Sequence, residues 1–131
     1  MIDNAWMIKE VVDTPGVRHV VVSTADGLAR LWSGNTDRDE VDRLAAACSG
    51  LMSLGLQVGR AHGTGSCAVR EVMISYEGGW LFVRIAGEGS RLAVVAGLNV
   101  EPRVVSQQMQ TVIKRLGENT FSTPARTTST T

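Results

Sequence analysis

The 131-residue sequence has no surplus of either charge: thirteen lysines and arginines balance thirteen aspartates and glutamates. A neutral chain sets up no long-range field toward nucleic acid or an anionic membrane, which leaves proteins and small molecules as partner classes. Cysteine is scarce too. Cys48 and Cys67 stand too far apart for a CxxC metal or redox motif, and two are too few for a disulfide framework. A reduced, cytosolic protein is expected, with Cys48 in the run LAAACSGLM acting as a small buried hydrophobe. The opening MIDNAWMIKE lacks the basic-then-apolar layout of a signal peptide, and no uncharged stretch has the composition of a membrane span. Any contact with a membrane would come through a partner.

The chain also lacks the motifs of common enzyme chemistry. It contains no GxxxxGK[ST] phosphate loop, and the glycines at 63, 65, 87 and 89 read as turn residues. His19 and His62 have no second histidine at ligand spacing, so neither metal nor cofactor is expected. Ser23, Asp26 and His19 are near one another in sequence, yet no GxSxG elbow supports a triad. Arg43, Arg60, Arg70 and Arg84 read no differently from surface arginines. The expectation is a protein that does not catalyse.

What is present is a regular alternation of elements. Apolar spacing from Asn4 to Val12 predicts a short helix, broken by Thr14-Pro15-Gly16. Val17–Ser23 and Leu28–Ser33 flank the turn signal Ala25-Asp26-Gly27 and predict a hairpin. Thr36 with Asp39 three residues on predicts the N-cap of a long helix reaching His62. Strands are then expected over Cys67–Tyr76, Trp80–Ala86 and Leu92–Leu98, the last apolar enough to be central and covered on both faces. Asn99 reads as the cap of a final helix ending near Gly117. The predicted fold is α/β, an α+β sandwich of order α-β-β-α-β-β-β-α, with a five-stranded mainly antiparallel sheet and helices on both faces. One domain over residues 1–117 is expected, followed by a disordered threonine-rich tail over 118–131.

The long central helix carries the most information, because LAAACSGLMSLGLQVG, between Arg43 and Arg60, has no charged residue. At about 100° per residue, Val41, Leu44, Ala45, Cys48, Leu51, Met52, Gly55 and Gly59 share one arc wide enough to cover a sheet. A second apolar stripe, Ala47, Gly50, Leu54, Val58 and Ala61, has the spacing of a helix-packing seam and predicts a symmetric dimer interface. Its alternative is cover by the protein's own loops, or simple exposure. A polar arc of Asp42, Ser49, Ser53, Gln57 and Arg60 remains as the candidate surface for another partner.

The segment TPGVRHVVVSTADGL, with DEVDRLAAACSGLMSLG and EGGWLFVRIAGEGSRLAVVA, resembles the bacterial roadblock (dynein light-chain) family in order and spacing, from Asn4 to about Gly117. In detail it is most similar to actinobacterial members, whose genes usually accompany those of a sensor-kinase-like protein and a small Ras-like GTPase. The resemblance implies a roadblock/profilin-like fold and a homodimer with central helices side by side and strands joined into one larger sheet. It further implies a docked Ras-like GTPase whose cycle is altered without a catalytic side chain being supplied. Two other readings of the residues are a small-molecule sensor and a purely structural adaptor linking a kinase-like membrane protein to other components.

Overall fold

The computed structural model describes residues 4–65, 69–87 and 89–118. A 3-10 turn over Ala5–Ile8 leads into the short helix α1, Lys9–Val12, where the sequence pattern predicts one continuous helix. Its inward side chains Met7, Ile8 and Val11 are nonetheless buried, so the apolar spacing was serving the core rather than a regular helix. The strands follow as β1 (Val17–Ser23) and β2 (Ala29–Trp32), then helix α2 (Arg38–His62). The remainder is β3 (Val72–Tyr76), β4 (Gly79–Ala86), β5 (Ser90–Gly97) and α3 (Pro102–Glu118).

Among the described residues the four strand pairings are all antiparallel, in the order β2-β1-β5-β4-β3. The β3–β4 connection is tight, with Tyr76 opposite Gly79, and Gly78 occupies positive φ, which favours glycine. Gly79 has a separate constraint: a Cβ there would lie 2.3 Å from the Ala96 carbonyl oxygen of β5.

Period-two alternation divides the apolar residues between two layers. Val20, Val22, Phe82, Leu92, Val94 and Ala96 face α1 and α3, where Val105, Met109, Val112 and Leu116 complete the core. Val21, Leu81, Val83 and Ala93 face α2 and meet Val41, Leu44, Cys48 and Met52. β1 and β5 lie inside the sheet and are buried on both faces, which explains their nearly unbroken apolar character.

The start of α3 departs from expectation. Pro102 is its first residue, a place where the missing N–H costs nothing, and Asn99 lies in the preceding turn rather than capping the helix. Gly117 sits within the last turn, and the threonine-rich segment 119–131 lies outside the described residues. α3 is fastened to the N-terminal segment by Arg115, which donates to the carbonyls of Trp6 and Met7 at 3.2 and 3.3 Å and pairs with the Glu10 carboxylate.

Candidate functional site

The central helix α2 begins one residue later than the capping signature predicts. Asp37 is the N-cap: it has extended backbone, and its carboxylate accepts from the Glu40 N–H at 2.9 Å. Thr36 cannot do this because its side chain points into the fold. Its hydroxyl lies 2.8 Å from both Ser33 Oγ and His19 Nδ1, while Ser33 Oγ accepts from the Val20 N–H. This polar cluster ties the β2–α2 connection to β1, and the more exposed Asp37 meets the positive end of the helix.

From that start the helix crosses the sheet. Arg38 stands 5.0 Å over the Trp32 ring of β2. Ser49 reaches the β1–β2 turn, and a Cβ placed on Gly55 would meet Val69 and Val72 at 3.5 Å, beside β3. The inward arc lies where the periodicity puts it, with Val41, Leu44, Ala45, Cys48 and Met52 buried and Leu51 and Gly55 half-buried. Burial pushes the Cys48 thiol up to about 11, and the nearby Arg91 cation opposes this only in part. Cys48 is therefore an un-ionised core side chain at neutral pH.

The second stripe faces outward along its whole length. Ala47, Gly50, Leu54, Val58 and Ala61 are all exposed, and a Cβ placed on Gly50 would have nothing within 4 Å. Leu54 and Val58 each leave 61% of their surface open. The half of α2 bearing them lies nearest β3, which pairs only with β4 among the described strands. An apolar helix stripe and an unpaired strand edge thus share one side of the molecule.

Asp42, Ser53, Gln57 and Arg60 are exposed members of the polar arc, Asp42 in an ion pair with Arg38 one turn earlier. Ser49 is half-buried and donates from Oγ to the Ala25 carbonyl at 3.0 Å, so it anchors the β1–β2 turn. Ser23, Asp26 and His19 do not assemble into a triad. His19 is engaged with Thr36, Asp26 accepts from Thr24, and Ser23 Oγ has no partner.

Two features have no signature in the sequence. One is a cleft of about 250 Å³ between Trp6, Ile8 and Val12 on one side and Trp32 and Gly34 on the other. The other is the burial of Arg91, a charged residue next to a turn that reads as exposed. Both join segments distant in the chain, so only tertiary structure reveals them.

A five-stranded antiparallel sheet covered by one long helix on one face and two shorter ones on the other defines a roadblock/profilin-like fold. Profilin II of Acanthamoeba castellanii shares it with a TM-score of 0.56 at 14% identity, over 87% of this chain and 95% of the other. Residues 4–96 match the model of the Roadblock/LC7 domain, and the chain belongs to that family. A Roadblock/LC7 domain from Streptomyces avermitilis is 34% identical, with a TM-score of 0.81 over 88% of this chain and 95% of that one. The gliding protein MglB of Thermus thermophilus has the same fold, with a TM-score of 0.75 at 17% identity over 86% of this chain and 84% of its own. No curated protein sequence matches the chain.

Proposed function

We propose that the protein is a non-catalytic regulator or scaffold of a Ras-like small GTPase, acting as a homodimer. The observation that carries this reading is the outward stripe of Ala47, Gly50, Leu54, Val58 and Ala61 on a helix whose opposite arc is already used by its own sheet. An exposed apolar strip of this kind marks an interaction surface, and two-fold symmetry lets one strip bury itself against its copy. The small residues Ala47, Gly50 and Ala61 allow close approach of the second helix, and the β3 edge beside them gives the two sheets a place to join. Membership of the Roadblock/LC7 family and the wider resemblance to bacterial roadblock proteins support a GTPase as the partner. With both apolar arcs occupied, Asp42, Ser53, Gln57 and Arg60 form the surface offered to that partner.

The test is to mix the purified protein with the Ras-like GTPase encoded nearest to it, recording co-elution together with GTP hydrolysis and nucleotide release. Binding with a changed rate supports regulation, and binding without one supports a scaffold. Failure to bind in the nucleotide-free, GDP and GTP states alike would refute a GTPase partner.

A further inference from the structure

The cleft of about 250 Å³ beside β2 is lined by Trp6, Ile8 and Val12 from the N-terminal segment and by Trp32 and Gly34. Trp6 keeps 51% of its surface open and Val12 36%. Each indole carries a guanidinium, Arg115 at 5.6 Å over Trp6 and Arg38 at 5.0 Å over Trp32. The polar side chains at the rim are already engaged, Lys9 with Asp13 and the Ser33 hydroxyl with the Val20 N–H and Thr36. An occupant would therefore be held by apolar and aromatic contact rather than by charge. β2 is the edge of the sheet opposite β3, so the cleft lies apart from the outward stripe of α2.

The chain itself brings such an occupant within reach. Arg115 donates to the Trp6 and Met7 carbonyls, which sets the last turn of α3 beside the cleft wall. Glu118, the final residue of α3, follows three positions later, about 5 Å along the helix axis. The segment after it, 119–131, lies outside the described residues and reads NTFSTPARTTSTT, in which Phe121, Pro124 and Ala125 are the only apolar residues. Phe121 stands three residues and Pro124 six beyond Glu118, spans of up to about 10 and 20 Å of extended chain. A tether this short sets a local concentration on the order of millimolar, so a contact too weak to hold two separate molecules is populated within one. We propose that the segment after α3 turns back over this cleft, with Phe121 against Trp6 and Pro124 toward Trp32. The contact is independent of the GTPase reading and of the dimer.

The test compares the whole ¹⁵N-labelled chain with its Phe121→Ala and Phe121→Leu variants by NMR. The indole N–H resonances of Trp6 and Trp32 are the readout, and Trp80, stacked on Phe82 within β4, is the internal control. The wild type is expected to show nuclear Overhauser contacts between the Phe121 ring and the Trp6 indole. Phe121→Ala should abolish them and shift the Trp6 and Trp32 resonances while leaving Trp80 in place, with Phe121→Leu intermediate. A peptide of residues 119–131, added to the Phe121→Ala protein at about millimolar concentration, should return the Trp6 resonance toward its wild-type position. Unmoved Trp6 and Trp32 resonances in Phe121→Ala, or no response to the peptide, would overturn the proposal. Contacts from Trp6 to Ile2 in place of Phe121 would overturn it in favour of the N-terminal residues. Phe121 contacts arising only between chains in a mixed-label sample would do so in favour of a second copy.

Discussion

In the proposed homodimer, replacing Leu54 with aspartate should leave a folded monomer. Leu54 and Val58 are each 61% exposed in the single chain. Complete burial of such side chains is worth about 1.5–3 kcal/mol, so covering the open part yields about 1–2 kcal/mol for each. Two-fold symmetry counts every gain and every loss twice. Leu54→Asp removes both leucine contributions and sets two carboxylates in an apolar seam, where the effective desolvation penalty is several kcal/mol per ion. Even a loss of about 5 kcal/mol, less than those terms together, raises the dissociation constant by about three to four orders of magnitude. Sedimentation equilibrium at micromolar concentration measures this, with far-UV circular dichroism as the control for folding. The fold should persist because Leu54 belongs to neither core cluster. Leu44→Asp, on the inward arc of the same helix, should unfold the chain instead. A folded Leu54→Asp variant that dimerises like the wild type would show that the seam lies elsewhere.

Three further outcomes follow from individual contacts. Asp37→Ala removes the α2 cap and should cost about 1 kcal/mol in urea unfolding, whereas Asp39→Ala, at the second position of the first turn, should cost less. The Arg115 guanidinium holds the Glu10 carboxyl below its ordinary value, so this pair stabilises the fold above about pH 4.5 and its contribution is lost as pH falls further. Glu10→Gln should therefore be less stable than wild type at pH 7 by about 0.5–1 kcal/mol, with the gap closing in acid when both proteins are unfolded by urea across pH 3–7. In a Cys67→Ser background, Cys48 should resist alkylation at pH 7 and react only at the rate of opening of the core, since burial holds its thiol near 11. Rapid labelling of the native protein would contradict that burial.

Much of the fold is written locally. The β-branched run Val17–Ser23, the glycine turns and the 3.6-residue spacing of α2 and α3 place most helices and strands within a few residues of their positions, whereas β3 begins only at Val72, five residues after the expected Cys67, with 69–71 outside the strand and 66–68 outside the described residues. The two arcs of α2 are equally legible, because apolar residues beyond those needed to cover one sheet face leave a stripe with no internal partner. Capping was less legible. Thr36 and Asp37 are both competent caps, and the choice falls to Asp37 because Ser33 and His19 capture the Thr36 hydroxyl from across the chain. Ser49 has a similar history: its place on the helix wheel is polar and outward, and only the position of the Ala25 carbonyl makes it an internal anchor.

By itself the sequence determined the succession of elements, their buried faces and the surplus apolar stripe, since these depend on the periodicity of neighbouring residues. Tertiary structure alone decided which strands, β1 and β4, flank the central β5, as well as the cap of α2 and the enclosure of Arg91 beside Ser23. Each of these depends on which distant segments pair, and a pairing between residues as far apart as Ser23 and Arg91 leaves no mark on the local pattern of either strand.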